Sequence, residues 1–193
     1  MQKLNRTDLW SLEQYSEERP AFRAEVIAHK KARRVAIGPH ATLCFEDALT
    51  MKYQIQEMLR VEKIFEAAEI EEELTTYNPL IPDGANWKAT FLIEYPDVEE
   101  RHRALATMGG IEDTIWVQIG DGPRIYAIAN EDMPRSEAGK AAAVHFLRFE
   151  LDGASVQAAK EGAPILAGID HASLKGAVTL DPARAESLRR DLD

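Results

Sequence analysis

One cysteine, Cys44, is all that this 193-residue chain contains. A lone thiol closes no intrachain disulfide and builds no multi-cysteine zinc or iron–sulfur site. Long apolar runs are missing too. None approaches the roughly 18 residues that a membrane span needs, so no membrane partner is expected. The opening stretch MQKLNRTDLWSLEQYSEERP lacks the apolar core of a secretory signal. A reducing cytoplasm is the expected compartment. Nucleotide and hydrolase signatures are absent: there is no GxxxxGK[ST], no GxGxxG and no GxSxG. No HxH or HExxH spacing marks a metal site among the five histidines.

Positive charge is also in short supply. The net charge is −10, which argues against a nucleic-acid partner. The imbalance is uneven, since residues 1–39 carry eight Lys/Arg against five Asp/Glu. A local basic patch there could meet a phosphate or an acidic partner.

The hydrophobic fraction of 45% suffices for a packed core, and the length suits one domain. The pattern predicts a single α+β domain over 1–193. Residues 1–76 read as mainly helical, 77–87 as an ordered loop, and 88–193 as mainly sheet. Pro20 predicts a helix starting near Ser16–Arg19 and running to about Arg34. VAIG at 35–38 and ATLCFE at 41–46 read as extended. Asp47 or Thr50 caps a second helix reaching about Leu74. YNPLIPDGANW at 77–87 breaks the pattern. KATFLIEY (88–95), a hairpin over 114–130, VHFLRFEL (144–151), PILAGID (164–170) and GAVTL (176–180) read as strands. Residues 97–108, 153–162 and 183–192 read as short helices. NEDMPRSEAGKAA at 130–142 reads as a surface loop. Strands that follow a helical start predict helices packed against a mostly antiparallel sheet, with a short C-terminal helix.

Charges on apolar helix faces mark the first candidate site. His29 and Arg33 share the face of Phe22 and Val26. Glu62 falls within the stripe of Met51, Ile55, Met58 and Phe65. A carboxylate there needs a partner, so Glu62 is expected to meet Arg33 or His29. Two readings stay open: a structural ion pair, or ligands and acid–base groups in a pocket. In the second reading His29, Glu62 and His171 would hold a divalent metal ion. The basic run His29 to Arg34 offers Arg33 and Arg34 to an anion, or is simply a helix end suited to the helix dipole. The loop offers Asp83, Asn86 and Trp87 to a ligand, or those side chains cap their own turns. EAAEIEEE at 66–73 is a solvated acidic face or a docking surface for a basic protein. His145 reads as a core histidine, and Cys44 as a small buried hydrophobe opposite Leu43 and Phe45.

RPAFRAEVIAHKKARRVAIGPHATLCFEDALTMKYQIQEMLRVEKIFE, YNPLIPDGANWKATFLIEY, VHFLRFEL and GIDH together resemble the bacterial domain-of-unknown-function family 3501. The resemblance spans nearly the whole chain, and NPLIPDGANWKATF is its most distinctive piece. It implies a redox or oxidative-stress setting, with a rubrerythrin-like or iron–sulfur oxidoreductase protein as partner. It implies no catalytic residue. Three function classes follow: an accessory protein binding a metal ion or small anionic ligand, a non-catalytic interaction protein for a redox partner, and an enzyme with an acid–base carboxylate.

Overall fold

A computed structural model describes residues 3–131, 136–137 and 139–193. The chain opens with a 3-10 turn, Arg6–Asp8, and then helix α1, Leu12–Lys31. Ser11 caps α1 through the Gln14 amide, and Gln14 bonds back to the Ser11 amide. This reciprocal cap starts the helix ahead of the position that Pro20 suggested. Pro20 lies inside α1 and removes one hydrogen-bond donor from its interior. Helix α2, Ala48–Glu62, is capped by Asp47 as expected. It does not run to Leu74. Lys63 takes a left-handed conformation (φ 58°) and ends it, and α3, Ala67–Tyr77, follows.

Strands β1 (Arg34–Ala36), β2 (Ala41–Glu46), β3 (Asn86–Ile93), β9 (Val144–Glu150) and β6 (Ile128–Ala129) form one antiparallel sheet in that spatial order. A second antiparallel sheet runs β11 (Leu174–Thr179), β10 (Ile165–His171), β4 (Ile115–Ile119), β5 (Ile125–Tyr126). Residues 125–129 pass from one sheet to the other at Ala127, whose amide bonds the Ile115 carbonyl. A two-residue hairpin, β7 (Ser136–Glu137) with β8 (Lys140–Ala141), falls within the stretch read as a surface loop. Part of that stretch lies outside the described residues. Short helices α4 (Val98–Leu105), α5 (Gly153–Lys160) and α6 (Pro182–Arg189) complete the α+β fold.

The main core lies between the two sheets. Leu43, Phe45, Trp87, Phe91, Leu147 and Phe149 point inward from the five-stranded sheet, and Ile115, Val117, Ile165 and Ile169 from the other. His145 is fully buried on that inner face, as the alternation predicts. The expected arrangement of helices against an antiparallel sheet is present, and the inner side of that sheet packs on the second sheet as well. The helices α1–α3 have apolar clusters of their own, around Phe22 and around Ile55, Leu59 and Leu74. They face the outer side of the five-stranded sheet, where the alternate residues of each strand project.

Candidate functional site

The register of the five-stranded sheet fixes what its outer face presents. Cys44 pairs with Thr90, and Thr90 with Phe146. One row further along, Glu46 pairs with Lys88 and Lys88 with Arg148. Three ionisable side chains therefore stand side by side on a half-covered surface.

Each outer member of that row is taken by another partner. Glu46 accepts from the hydroxyls of Thr50 and Thr90, both at 2.7 Å. Arg148 grips Glu131 with two bonds of 2.8 and 2.9 Å and also bonds Glu150. Lys88, between them, has no carboxylate oxygen within 4.0 Å and no hydrogen bond among the described residues. Burial lowers its amine below the usual lysine value. The Arg148 and Lys3 charges act the same way, against Glu131 and Asp83.

A groove opens above this row. Its larger part has a volume of about 850 Å³ and is walled by Tyr77, Pro79, Leu80 and Phe146. Lys3, Lys88 and Arg148 supply cations to it, and Asp83, Glu131 and Glu150 supply carboxylates. A second compartment of about 420 Å³ shares Tyr77, Leu80 and Phe146 with the first. It reaches Lys30, Arg34, Cys44 and Glu46. Burial and the Glu46 charge push the Cys44 thiol up, so it is a poor nucleophile there.

The loop before β3 forms one rim of the groove. Asn78 anchors it to the N-terminal segment by exchanging two bonds with the Leu4 backbone, at 2.8 and 2.9 Å. Lys3 donates to the Asn78 and Ile81 carbonyls. Asp83 accepts from the Ala85 amide, and Asn86 accepts from the Asp83 amide. Burial would raise the Asp83 carboxyl. The Ala85 amide, Asn86, Lys88 and Lys3 outweigh it and hold the carboxyl below its usual range.

The structure scatters the residues singled out by sequence. Asp83 and Asn86 line the larger compartment. Arg33 and Arg34 border the smaller one, where Arg34 is exposed and bonds Glu94. Trp87 lines neither: it is fully buried in the core and donates to the Leu188 carbonyl. Arg33 is buried against Asp47 and Asp191, and His29 contacts Asp47 at 2.5 Å. The expected partner Glu62 is elsewhere. It is the last residue of α2, is exposed, and lies near Glu73. The stripe closes at Leu59, and the helix carries Glu62 past the packed region. His171 sits on the other sheet and accepts from the Ser173 amide. His29, Glu62 and His171 are thus not brought together. Among the described residues no group of three or more His, Cys, Asp or Glu side chains is placed to hold a metal ion. No described helix is long and apolar enough to cross a membrane.

Lys88 and Arg148 escaped the sequence reading, although a signal existed. Each is a charge at an alternate position between buried neighbours of its strand, in phase with Thr90 and Phe146.

Comparison with known proteins agrees with the fold. A 1.90 Å crystal structure of a novel protein of unknown function from Burkholderia pseudomallei K96243 superposes with a TM-score of 0.94. It is 49% identical, and the match covers 100% of both chains. No curated protein matches the chain. The family model for proteins of unknown function, DUF3501, matches residues 3–192, and the chain belongs to that family.

Proposed function

We propose that the groove on the outer face of the five-stranded sheet binds a small organic acid with an apolar body. The observation that carries this reading is Lys88. A half-buried ammonium without an anionic partner is unfavourable in the free protein, and a ligand carboxylate would complete it. Tyr77, Leu80, Pro79 and Phe146 offer the apolar wall that such a ligand's body needs. Titration calorimetry with 4-methylbenzoate, hexanoate and octanoate tests the reading. Wild type should bind at least one of them. Lys88→Met should weaken that binding about 10- to 100-fold, the worth of one charged hydrogen bond. Equal affinity in the two proteins, or no binding of any probe, would overturn it.

A second reading, docking to a rubrerythrin-like or iron–sulfur oxidoreductase partner, is favoured by one observation. Phe65 and Val61 are 69% and 63% exposed beside the acidic α3. Exposed apolar side chains rimmed by charge suit a protein interface. Phe65→Ala should abolish binding to such a purified partner in surface plasmon resonance. Unchanged binding would remove this reading.

A further inference from the structure

We propose that Lys88 forms a reversible imine with its ligands, so that the groove selects carbonyl-bearing organic acids, that is, aldehyde or keto acids. The inference rests on the groove being an organic-acid site.

An amine attacks a carbonyl only as the free base. Most lysines are kept charged by water or by a partner. Lys52, for example, has a partner, its nitrogen lying 4.0 Å over the Trp10 ring. Lys88 differs in each respect. It is half-buried in a cavity with apolar walls, has no ion pair among the described residues, and stands in register beside the Arg148 guanidinium. Those surroundings favour loss of its proton.

The rest of the cavity fits the reaction. The Lys88 nitrogen adds to the carbonyl carbon, forming a C–N bond and a carbinolamine. Asp83 and Glu131 line the same cavity, and both carboxyls are held below their usual range. As carboxylates they stabilise the iminium cation that forms on the way to the imine, while the carbonyl C–O bonds break and the oxygen leaves as water with the two protons lost from nitrogen. Water leaves and the imine remains, with no change of oxidation state. The ligand's own carboxylate has donors left to it. Lys3 spends two of its three N–H groups on the Asn78 and Ile81 carbonyls. Arg148 has five N–H groups and three bonds to Glu131 and Glu150.

The test uses the full chain at neutral pH with 4-carboxybenzaldehyde and sodium cyanoborohydride, which reduces an imine to a stable amine. Peptide mapping by mass spectrometry locates the adduct, and 4-methylbenzoate binding is measured in parallel. Lys88 should be labelled about tenfold or more above any other lysine. Excess 4-methylbenzoate should suppress that labelling. Lys88→Arg should lose it. Uniform labelling of all lysines, with 4-methylbenzoate still bound, would overturn the imine and leave the groove reading in place. Uniform labelling with no 4-methylbenzoate bound would remove both.

Discussion

Arg33 and Asp191, 158 residues apart, meet at 2.5 Å with side chains only 2% and 1% exposed. The same guanidinium lies 3.3 Å from Asp47 and donates to the Phe45 and Glu46 carbonyls. It thus ties the end of α1 to β2 and to the chain beyond α6. Arg33→Met should leave the buried Asp191 carboxylate unpaired and destabilise the fold by about 3–5 kcal/mol. Urea unfolding followed by circular dichroism measures this. A loss under about 1 kcal/mol would mean that water reaches the pair.

The same cluster sets a pH dependence. Burial pushes the Asp191 carboxyl up from 3.8 to about 6, and the Asp47 charge adds to this against Arg33 and His29. A carboxyl raised on folding binds more protons in the native state. Its stabilising contribution is therefore complete below the unfolded value and is lost as pH rises through about 6. The difference in unfolding free energy between wild type and Asp191→Asn should fall by about 3 kcal/mol at most between the two values. A flat difference across that window would show that Arg33 keeps Asp191 ionised throughout.

Glu57 works in the opposite sense. It joins α1 to α2 through Arg19, at 2.7 and 2.8 Å, and through the Tyr15 hydroxyl at 2.6 Å. The Arg19 bond, helped by Tyr15 against partial burial, holds its carboxyl at about 2 rather than 4.5. This contribution is present above the unfolded value and is lost as pH falls through about 2. Glu57→Gln should destabilise by about 1 kcal/mol at neutral pH, and by nothing in strong acid. Thermal melts at neutral and acidic pH would show the two proteins converging.

Glu62 and Arg33 show how far the sequence could be read. Helical phase correctly put Phe22, Val26, Met51 and Ile55 inward. It also made Arg33 an inward charge needing a carboxylate. Phase cannot say which carboxylate, because Asp191 arrives through the packing of α6. Nor can it say where a stripe stops being covered, and Glu62 lies beyond that point. The strands were legible because alternation depends on the local backbone alone. The groove was half legible for the same reason. Asp83 and Asn86 belong to a loop that announces itself by proline, glycine and asparagine. Lys88 acquires meaning only from its neighbours in register, Glu46 and Arg148, which lie on other strands. Glu62→Gln should accordingly shift stability by no more than about 0.5 kcal/mol, and a larger loss would restore Glu62 as a buried partner.

Lys88 gives the sharpest separation between a structural and a functional role. A lysine held for stability would have a partner, and its removal would destabilise. Here Glu46 is diverted to Thr50 and Thr90, and Arg148 to Glu131 and Glu150. The ammonium is left half-buried beside another cation. Replacing it with methionine keeps an aliphatic stem in the cavity that Phe146 and Leu80 also line and removes the unmatched charge. Lys88→Met should therefore raise stability by about 0.5–1 kcal/mol, as at sites where function opposes stability. In a domain of this size that is a rise in Tm of about 1–4 °C. The same variant should bind organic acids more weakly. Differential scanning calorimetry with and without 4-methylbenzoate reads both effects together. The wild-type Tm should rise with ligand, and that of Lys88→Met should rise less. A lower Tm in the variant would make Lys88 part of the scaffold, and the groove's cation would then have to be sought at Lys3 or Arg148.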